Sequence, residues 1–221
     1  MRLLSVRHFT VAATLACAAA SASALTLPTE ALAANSIQSF SIDAQDQFNL
    51  FKITVTPLGN ATAAAATAAY NLPVTSITIN NQLKVAAGKA SGSALEIARY
   101  NVAGVKIGVT LANFKIDFIT HKVLADVTPI GGVTTPQMVV YTFNEATPLT
   151  LKYRFPLSVS GEQLLDKLYL TPEGITAIAT ALALPRFAPA LMAETDFGNI
   201  AISVKVGLRK PVSSKPYVPA N

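Results

Sequence analysis

The stretch Val105–Phe118, which reads V-K-I-G-V-T-L-A-N-F-K-I-D-F, decides the fold class. Apolar residues alternate with polar or small ones over 105–111 and again over 114–118. A period of two places every second side chain on the same face of a strand, so one face meets a core and the other meets water. The short interruptions at 101–104 and 112–113 favour antiparallel neighbours.

The same alternation recurs along much of the chain, which predicts a mainly β protein. Between these stretches, the Ala/Thr-rich tract 59–69 predicts a flexible loop or a short helix. Many strands joined by short turns are typical of an antiparallel β-sandwich or a partly open barrel. The further stretches that predict strands are 48–55, 76–80, 93–100, 121–127, 137–143, 149–157 and 200–208.

One short helical excursion, about 162–184, interrupts the strands. Thr171 can cap a helix, Pro172 suits its first turn and Glu173 lies at the positive end of the helix dipole. Apolar residues then follow at helical spacing, and a proline ends the segment. A shorter helix is predicted just before it. The residues that carry these two helices are Leu164, Leu165, Leu168, Ile175, Ile178, Leu182 and Pro185.

The first 24 residues are typical of a signal peptide. A basic start containing Arg2 and Arg7 precedes the apolar run Phe9–Ala20, and Ala22-Ser23-Ala24 provides a small-residue cleavage site. The apolar run is shorter than the ~20 residues that cross a membrane. We therefore expect a bacterial protein exported to the periplasm or the extracellular space.

After cleavage we expect a single β domain over 25–209 and a disordered, proline-rich tail over 210–221. The only cysteine, Cys17, lies in the signal segment, so the mature chain is predicted to be cysteine-free. No second apolar run is long enough to span a membrane. The formal net charge of +5 is small and scattered, and a nucleic-acid partner is not expected.

The sequence offers little material for catalysis. His121 is the only histidine beyond the signal segment, which excludes sites that need two or more imidazoles. The nucleophile motif G-x-S-x-G and the phosphate-binding motif G-x-x-x-x-G-K-[ST] are both absent. The carboxylates are spread along the chain without a local pairing. These observations predict a protein that is not an enzyme, with no catalytic residue and no metal ligand.

The region 112–206 resembles the HtaA-type haem-transport domain of exported bacterial proteins. The resemblance lies in the strand ending Val123–Val127, the apolar strand Met138–Phe143, the helix start Leu170-Thr171-Pro172-Glu173-Gly174 and a last apolar strand. It implies a β architecture and a possible haem ligand, although it carries over no ligand residue by motif. Three residues near these strands are chemically able to ligate iron and are the candidate ligand-binding residues: Tyr100, His121 and Tyr141.

Our leading hypothesis is an exported β-sandwich protein that binds a ligand without catalysis. The ligand is unknown; haem and another small hydrophobic molecule are the candidates. The alternative is a structural subunit of the envelope or surface that assembles through sheet edges with another envelope protein. An enzyme that uses carboxylates alone is the third hypothesis.

Overall fold

The structure is a computed structural model that describes residues 25–28, 32–80, 84–154, 158–206 and 212–220. The predicted signal peptide therefore lies outside the described residues.

Twelve strands and three helices are present in the described part of the chain. The helices are α1 (Ile42–Leu50), α2 (Pro172–Ala181) and α3 (Ala188–Glu194). The strands are β1 (Leu25–Pro28), β2 (Leu32–Ser39), β3 (Thr54–Gly59), β4 (Thr62–Ala63), β5 (Ala69–Pro73), β6 (Ser76–Ile79), β7 (Val85–Tyr100), β8 (Lys106–Asp117), β9 (Lys122–Pro129), β10 (Thr135–Arg154), β11 (Ser158–Leu170) and β12 (Asn199–Val206).

The strands form one antiparallel sheet that curls into a nearly closed barrel. Its order is β1-β6-β7-β8-β9-β10-β11-β12-β2-β5-β4, and β3 adds to β7. The two sides of the sheet that would close the barrel are connected through residues 74–75. On one side of this connection β5 pairs with β2, and on the other side β6 pairs with β7. At the crossing, the Val74 amide donates to the carbonyl of Ala34 and the Thr75 amide donates to that of Lys89. The predicted mainly β, antiparallel class is confirmed.

The helices lie at one end of the barrel, which we call the helix end. Helix α2 begins at the predicted cap, where Thr171 Oγ1 accepts from the Gly174 amide at 3.1 Å. It packs against β8, β9 and β10 and against α3. The opposite end, around the β8–β9 turn at residues 118–121, has no helix among the described residues, and we call it the open end.

The shorter helix predicted over Leu164–Leu168 is wrong, because this segment belongs to β11. The ladders of β10 and β12 flank it and supply its backbone hydrogen bonds. Lys167 adopts a left-handed conformation with φ of 52°, which interrupts the strand alternation. Leu165 and Leu168, three positions apart, therefore face the same side of the strand. Leu165 and Leu168 are both fully buried. The helical excursion is correspondingly shorter, and α3 extends it beyond residue 184.

The strand predicted over 48–55 is also wrong in its first half. Ser41 caps α1, its Oγ accepting from the Ala44 amide at 3.0 Å, and the helix continues to Leu50. Lys52 then turns the chain with φ of 56°, and β3 begins at Thr54. The Ala/Thr tract, predicted as a loop or a helix, contains the two-residue strand β4 and a turn.

No helix in the described ranges is both long and apolar enough to cross a membrane.

Candidate functional site

The inner wall of the barrel carries a row of polar side chains near its middle. Gln163 on β11 pairs with Ile202 on β12, Ile202 pairs with Ser36 on β2, and Ser36 pairs with Leu72 on β5. Because all four are buried, they form one inward-facing level. The next level towards the helix end contains Leu165, Ile200 and Gln38 by the same register. Two glutamines and a serine thus lie among apolar side chains at these two levels.

A cavity of about 40 Å³ lies beside this polar row. Its wall is almost wholly apolar, with Gln163, Gln38 and Ser36 as the buried polar contributions. This volume holds a few atoms, so a larger molecule would enter only as the barrel widens. The apolar lining residues come from every side of the barrel: Leu72, Val74, Ile77, Val85, Ala90, Phe114, Ile116, Phe118, Val123, Leu149, Ile200, Ile202 and Val204.

Gln163 has an unpaired acceptor inside the barrel. Its Nε2 donates to Glu145 Oε1 at 2.5 Å, whereas its Oε1 is buried and has no hydrogen-bond partner among the described residues. A buried carbonyl oxygen without a donor costs about 1–3 kcal/mol. Gln163 lines the cavity, so a molecule in that cavity carrying an N–H or O–H group could satisfy this oxygen.

The other two polar side chains of these two levels have partners. Ser36 Oγ donates to the carbonyl of Leu72 at 2.8 Å. Gln38 forms a side-chain hydrogen bond with Tyr141. Burial raises the pKa of Tyr141 to about 12, and the bond to Gln38 offsets only part of this rise. The Tyr141 phenol therefore stays protonated at any physiological pH.

The open end of the barrel is covered by aromatic rings. Phe118, which lines the cavity, meets Phe143 edge-on with ring centroids 6.3 Å apart. His121 stacks on Phe143 from outside, with centroids 5.4 Å apart and planes 12° apart. The ring of His121 is exposed, and Ile119 beside it is 71% exposed. These rings form a rim beside the cavity at the open end.

The turn that carries His121 is held by Asp117. Its carboxylate accepts from the backbone amides of Ile119 and Thr120 at 3.0 and 3.1 Å. Desolvation alone would raise the pKa of Asp117, but these bonds, a side-chain bond from Thr120 and the charge of Lys115 together lower it. The ionised carboxylate thus fixes the turn, and His121 completes it with φ of 53°.

The structure does not bring the three sequence-predicted ligand residues together. Tyr100 pairs with Lys106 at the start of β8, at the helix end, and is 70% exposed. His121 lies beyond the opposite end of β8, at the open end. Tyr141 lies between them in the core, 2% exposed, against Phe197. Of the three, His121 alone is both exposed and in contact with the rim of the cavity.

These positions do not fit a haem held by the three residues jointly. Tyr141 is fully buried and protonated, Tyr100 lies outside the barrel, and the cavity is far smaller than a haem. A second apolar cavity, bounded by Tyr141, Phe197 and residues of the three helices, is smaller still at about 20 Å³. Within the described ranges no group of three or more His, Cys, Asp and Glu side chains could hold a metal ion.

Sequence reasoning missed Gln163 and Gln38. The sequence pattern predicts that Gln163 lies in the helical excursion, and Gln38 precedes the first predicted strand. The signal that could have found them is a polar residue at an inward position of an alternating strand, as in Ala34-Asn35-Ser36-Ile37-Gln38.

Comparisons with known proteins give a likeness of fold. No protein-family model matches the chain, and no curated protein matches its sequence. The chain is similar to the C-terminal domain of HtaA from Corynebacterium glutamicum, with 18% identity over 80% of this chain and 98% of that one, and a TM-score of 0.49. A domain-swapped dimer of a histidine-to-alanine variant of that domain has 17% identity over 76% and 94%, and a TM-score of 0.43. No residue correspondence follows from values this low.

Proposed function

We propose that the chain is an exported binding protein without catalysis, and that its barrel interior takes up the apolar part of a small hydrophobic ligand that carries one hydrogen-bond donor. The observation that supports this is the buried, unpaired Oε1 of Gln163 beside an apolar cavity. Ligand sites of this kind are mostly apolar, with a few polar groups that fix orientation. Here Gln163 would orient the ligand.

The route of entry that the geometry supports is the open end. The rim there includes Phe118, Phe143 and His121. Phe118 and Phe143 contact each other through their rings alone, whereas the Phe143 amide also donates to the carbonyl of His121 at 3.2 Å. Side-chain rotation is a small change compared with breaking a strand pair. The helix end, in contrast, is filled by α1, α2 and α3. A ligand would therefore enter past Phe118 and leave His121 at the surface.

Phenol and toluene, a pair of similar shape, test the role of the unpaired acceptor. Phenol carries an O–H donor and toluene does not, and ligand titration followed by NMR gives both dissociation constants. We expect the ratio of toluene to phenol dissociation constants to fall about tenfold in Gln163→Leu, the equivalent of one lost hydrogen bond. An unchanged ratio would show that Gln163 does not contact the ligand.

Gly88 offers a matched test of the location. A Cβ added there would lie 3.9 Å from Phe118 Cε2, in ordinary contact and at the edge of the cavity. Gly88→Leu should therefore fill the entrance and abolish binding of both probes. Ala87→Leu, which places the same side chain on the other face of β7, is the control and should bind as the wild type does. Equal binding by both variants would exclude the barrel interior.

Haem belongs to the same class of hydrophobic ligands, and a visible absorption titration with haemin tests it separately. The geometry favours His121 as its contact, since that ring is exposed beside the rim. A saturable spectrum that His121→Ala alters and Tyr100→Phe does not would assign haem to the open end. A spectrum that does not saturate would exclude haem and leave the smaller ligand.

Assembly through sheet edges, the alternative function, has less support. A barrel leaves few edges for pairing with another chain. Among the described strands, the ends of the sheet order are the four-residue β1 and the two-residue β4. A concentration-dependent increase in mass, measured by sedimentation in the absence of any ligand, would favour this alternative.

A further inference from the structure

A row of left-handed residues crosses the outside of the barrel in the middle of the sheet. Gly59 on β3, Gly92 on β7, Asn113 on β8 and Gln137 on β10 have φ of 63°, 76°, 54° and 47°. The pairing register shifts at the same places, between β7 and β8, β8 and β9, and β9 and β10. Bulges of this kind bend strands and re-aim side chains. Two of these residues are not glycine, although a positive φ is costly for them.

Asn113 projects its amide group from this row onto the C-terminal segment. Its Oδ1 accepts from the Tyr217 amide at 2.7 Å, and its Nδ2 donates to the Tyr217 carbonyl at 3.0 Å. A single side chain thus satisfies the N–H and C=O of one extended residue, as the backbone of a neighbouring strand would. Asn60 adds a second contact, its Nδ2 donating to the Ser213 carbonyl at 2.7 Å. Both side chains contact main-chain atoms of the segment.

The amide of Asn113 is oriented by its neighbours. Its Oδ1 also accepts from the Gly92 amide at 3.0 Å, and its Nδ2 donates to Asp126 Oδ2 at 2.7 Å. The other carboxylate oxygen of Asp126 accepts from the backbone amide and the side-chain Nε2 of Gln137 at 2.9 and 3.0 Å. Asn113 therefore cannot turn away without breaking a network that spans the four strands β7, β8, β9 and β10.

The two glycines make room for the segment. A Cβ at Gly59 would come within 2.8 Å of Tyr217 Cδ2, and one at Gly92 within 2.9 Å of the Lys215 carbonyl oxygen. Beyond Tyr217, a cleft of about 260 Å³ lies between the segment and the outer faces of β7, β8 and β9, bounded by Glu96, Thr110, Thr128 and Pro219 among others. The surface is therefore a groove. Gly59 and Gly92 form its base at one end, and the cleft of about 260 Å³ lies at the other end.

We propose that this groove, formed by Gly59, Asn60, Gly92 and Asn113, is a recognition site for an extended, proline-containing peptide, and that the chain's own segment Ser213–Ala220 occupies it as a tethered ligand. Pro216 and Pro219 flank Tyr217 and favour the extended backbone that presents an N–H and a C=O together. Tethering raises the local concentration of the segment to the millimolar range, so even modest intrinsic affinity keeps the groove filled.

The test uses the full chain and a fluorescein-labelled peptide with the sequence of residues 213–221. Tyr217→Pro in the chain removes both the N–H that Asn113 accepts and the ring over Gly59, which should free the groove. We expect the labelled peptide to bind this variant, by fluorescence anisotropy, at least about tenfold more tightly than it binds the wild type, whose own segment competes. A peptide that carries Tyr217→Pro is the control and should not bind.

Asn113→Gly supplies the matched change in the groove, because glycine keeps the left-handed backbone and removes the amide. The double variant Asn113→Gly with Tyr217→Pro should lose the labelled peptide. Absence of saturable binding by a folded Tyr217→Pro chain, or equal binding by all three chains, would overturn the proposal. Hydrogen exchange gives a second measurement if a variant does not fold: the Tyr217 amide should be protected in the wild type, and exchange at the unfolded rate would overturn the proposal.

Discussion

The two ends of the barrel interior differ in how they are packed. At the helix end, α1, α2 and α3 insert apolar side chains beside Tyr141 and Phe197, and only about 20 Å³ is left empty. At the open end no helix of the described chain enters, a cavity of about 40 Å³ remains and Gln163 Oε1 has no partner there. The same sheet builds both halves, so the comparison separates a densely packed half from the half in which we propose that a ligand binds.

The largest expected effect is at the helix end. Leu182, at the end of α2, is fully buried, and Leu182→Ala should lower the free energy of unfolding by about 2–5 kcal/mol, since the removed atoms leave a void. Val85→Ala, which removes two methyl groups from the half-buried cavity wall, should cost about 1 kcal/mol. Urea unfolding measures both. If Leu182→Ala and Val85→Ala lower the free energy of unfolding equally, the two ends of the barrel are packed equally well.

Adding volume should also cost more stability at a well-packed position than at the wall of the cavity. Ala125 is fully buried and bounds neither interior cavity, so Ala125→Val should destabilise the fold by about 1–3 kcal/mol through overpacking. Ala90 lines the cavity, and Ala90→Val should leave the free energy of unfolding within about 0.5 kcal/mol of the wild type. Thermal melting of the pair is sufficient. If Ala90→Val lowers the free energy of unfolding as much as Ala125→Val does, the cavity has no room for two additional methyl-sized groups.

Tyr141 lies at the boundary between the halves and should respond to pH. Tyr141→Phe leaves Gln38 without its bond and should cost about 1–2 kcal/mol at pH 8. The unfolded chain releases the Tyr141 proton near pH 10, whereas the folded chain keeps it until about pH 12. The wild type is therefore fully stabilised below pH 10 and loses this contribution as the pH rises towards 12. The difference between the two proteins in urea unfolding should narrow over that range; a constant difference would contradict the burial of the phenol.

A small effect, of opposite sign to the losses above, is expected at Gln163. Gln163→Leu removes a buried acceptor that has no partner in the described chain, while Glu145, which loses a donor, is exposed and is solvated by water instead. The free energy of unfolding should stay equal or rise by up to about 1 kcal/mol. A loss above about 1 kcal/mol in urea unfolding would show that the glutamine supports the fold and is not kept for a ligand.

Much of the fold could be predicted from local patterns, and the failures have a shared cause. The strand period around 105–118 and the cap of α2 are confirmed, because alternation and capping act within a few residues. The interruption predicted at 112–113 is wrong, since Asn113 forms a bulge inside the continuous strand β8. Leu164, Leu165 and Leu168 were assigned to a helix because their spacing suits a helix as well as a strand with a bulge at Lys167. The ladders of β10 and β12 decide between the two, and they come from distant parts of the chain.

The candidate site was harder to predict than the fold. Tyr100, His121 and Tyr141 are candidates because their side chains are chemically able to bind iron. This property says nothing of the distances between them. The barrel places Tyr100 at the helix end, His121 at the open end and Tyr141 between them. In the sequence, Gln163 belongs to no motif that indicates a binding site. It becomes a candidate only because β10, β11 and β12 enclose it and leave its side-chain oxygen without a donor in the part of the chain that the structure describes.

The sequence by itself determined that this chain is mainly β, that its helical excursion includes a helix beginning at Pro172, and that few groups are available for catalysis. These properties depend on neighbouring residues and on composition. Only the tertiary structure decided which end of the barrel is filled and that Gln163 Oε1 is buried without a partner among the described residues. It also decided that Asn113 meets Tyr217, more than a hundred residues away. Such features follow from long-range strand register, because a shift of one residue in a ladder turns every inward side chain outward.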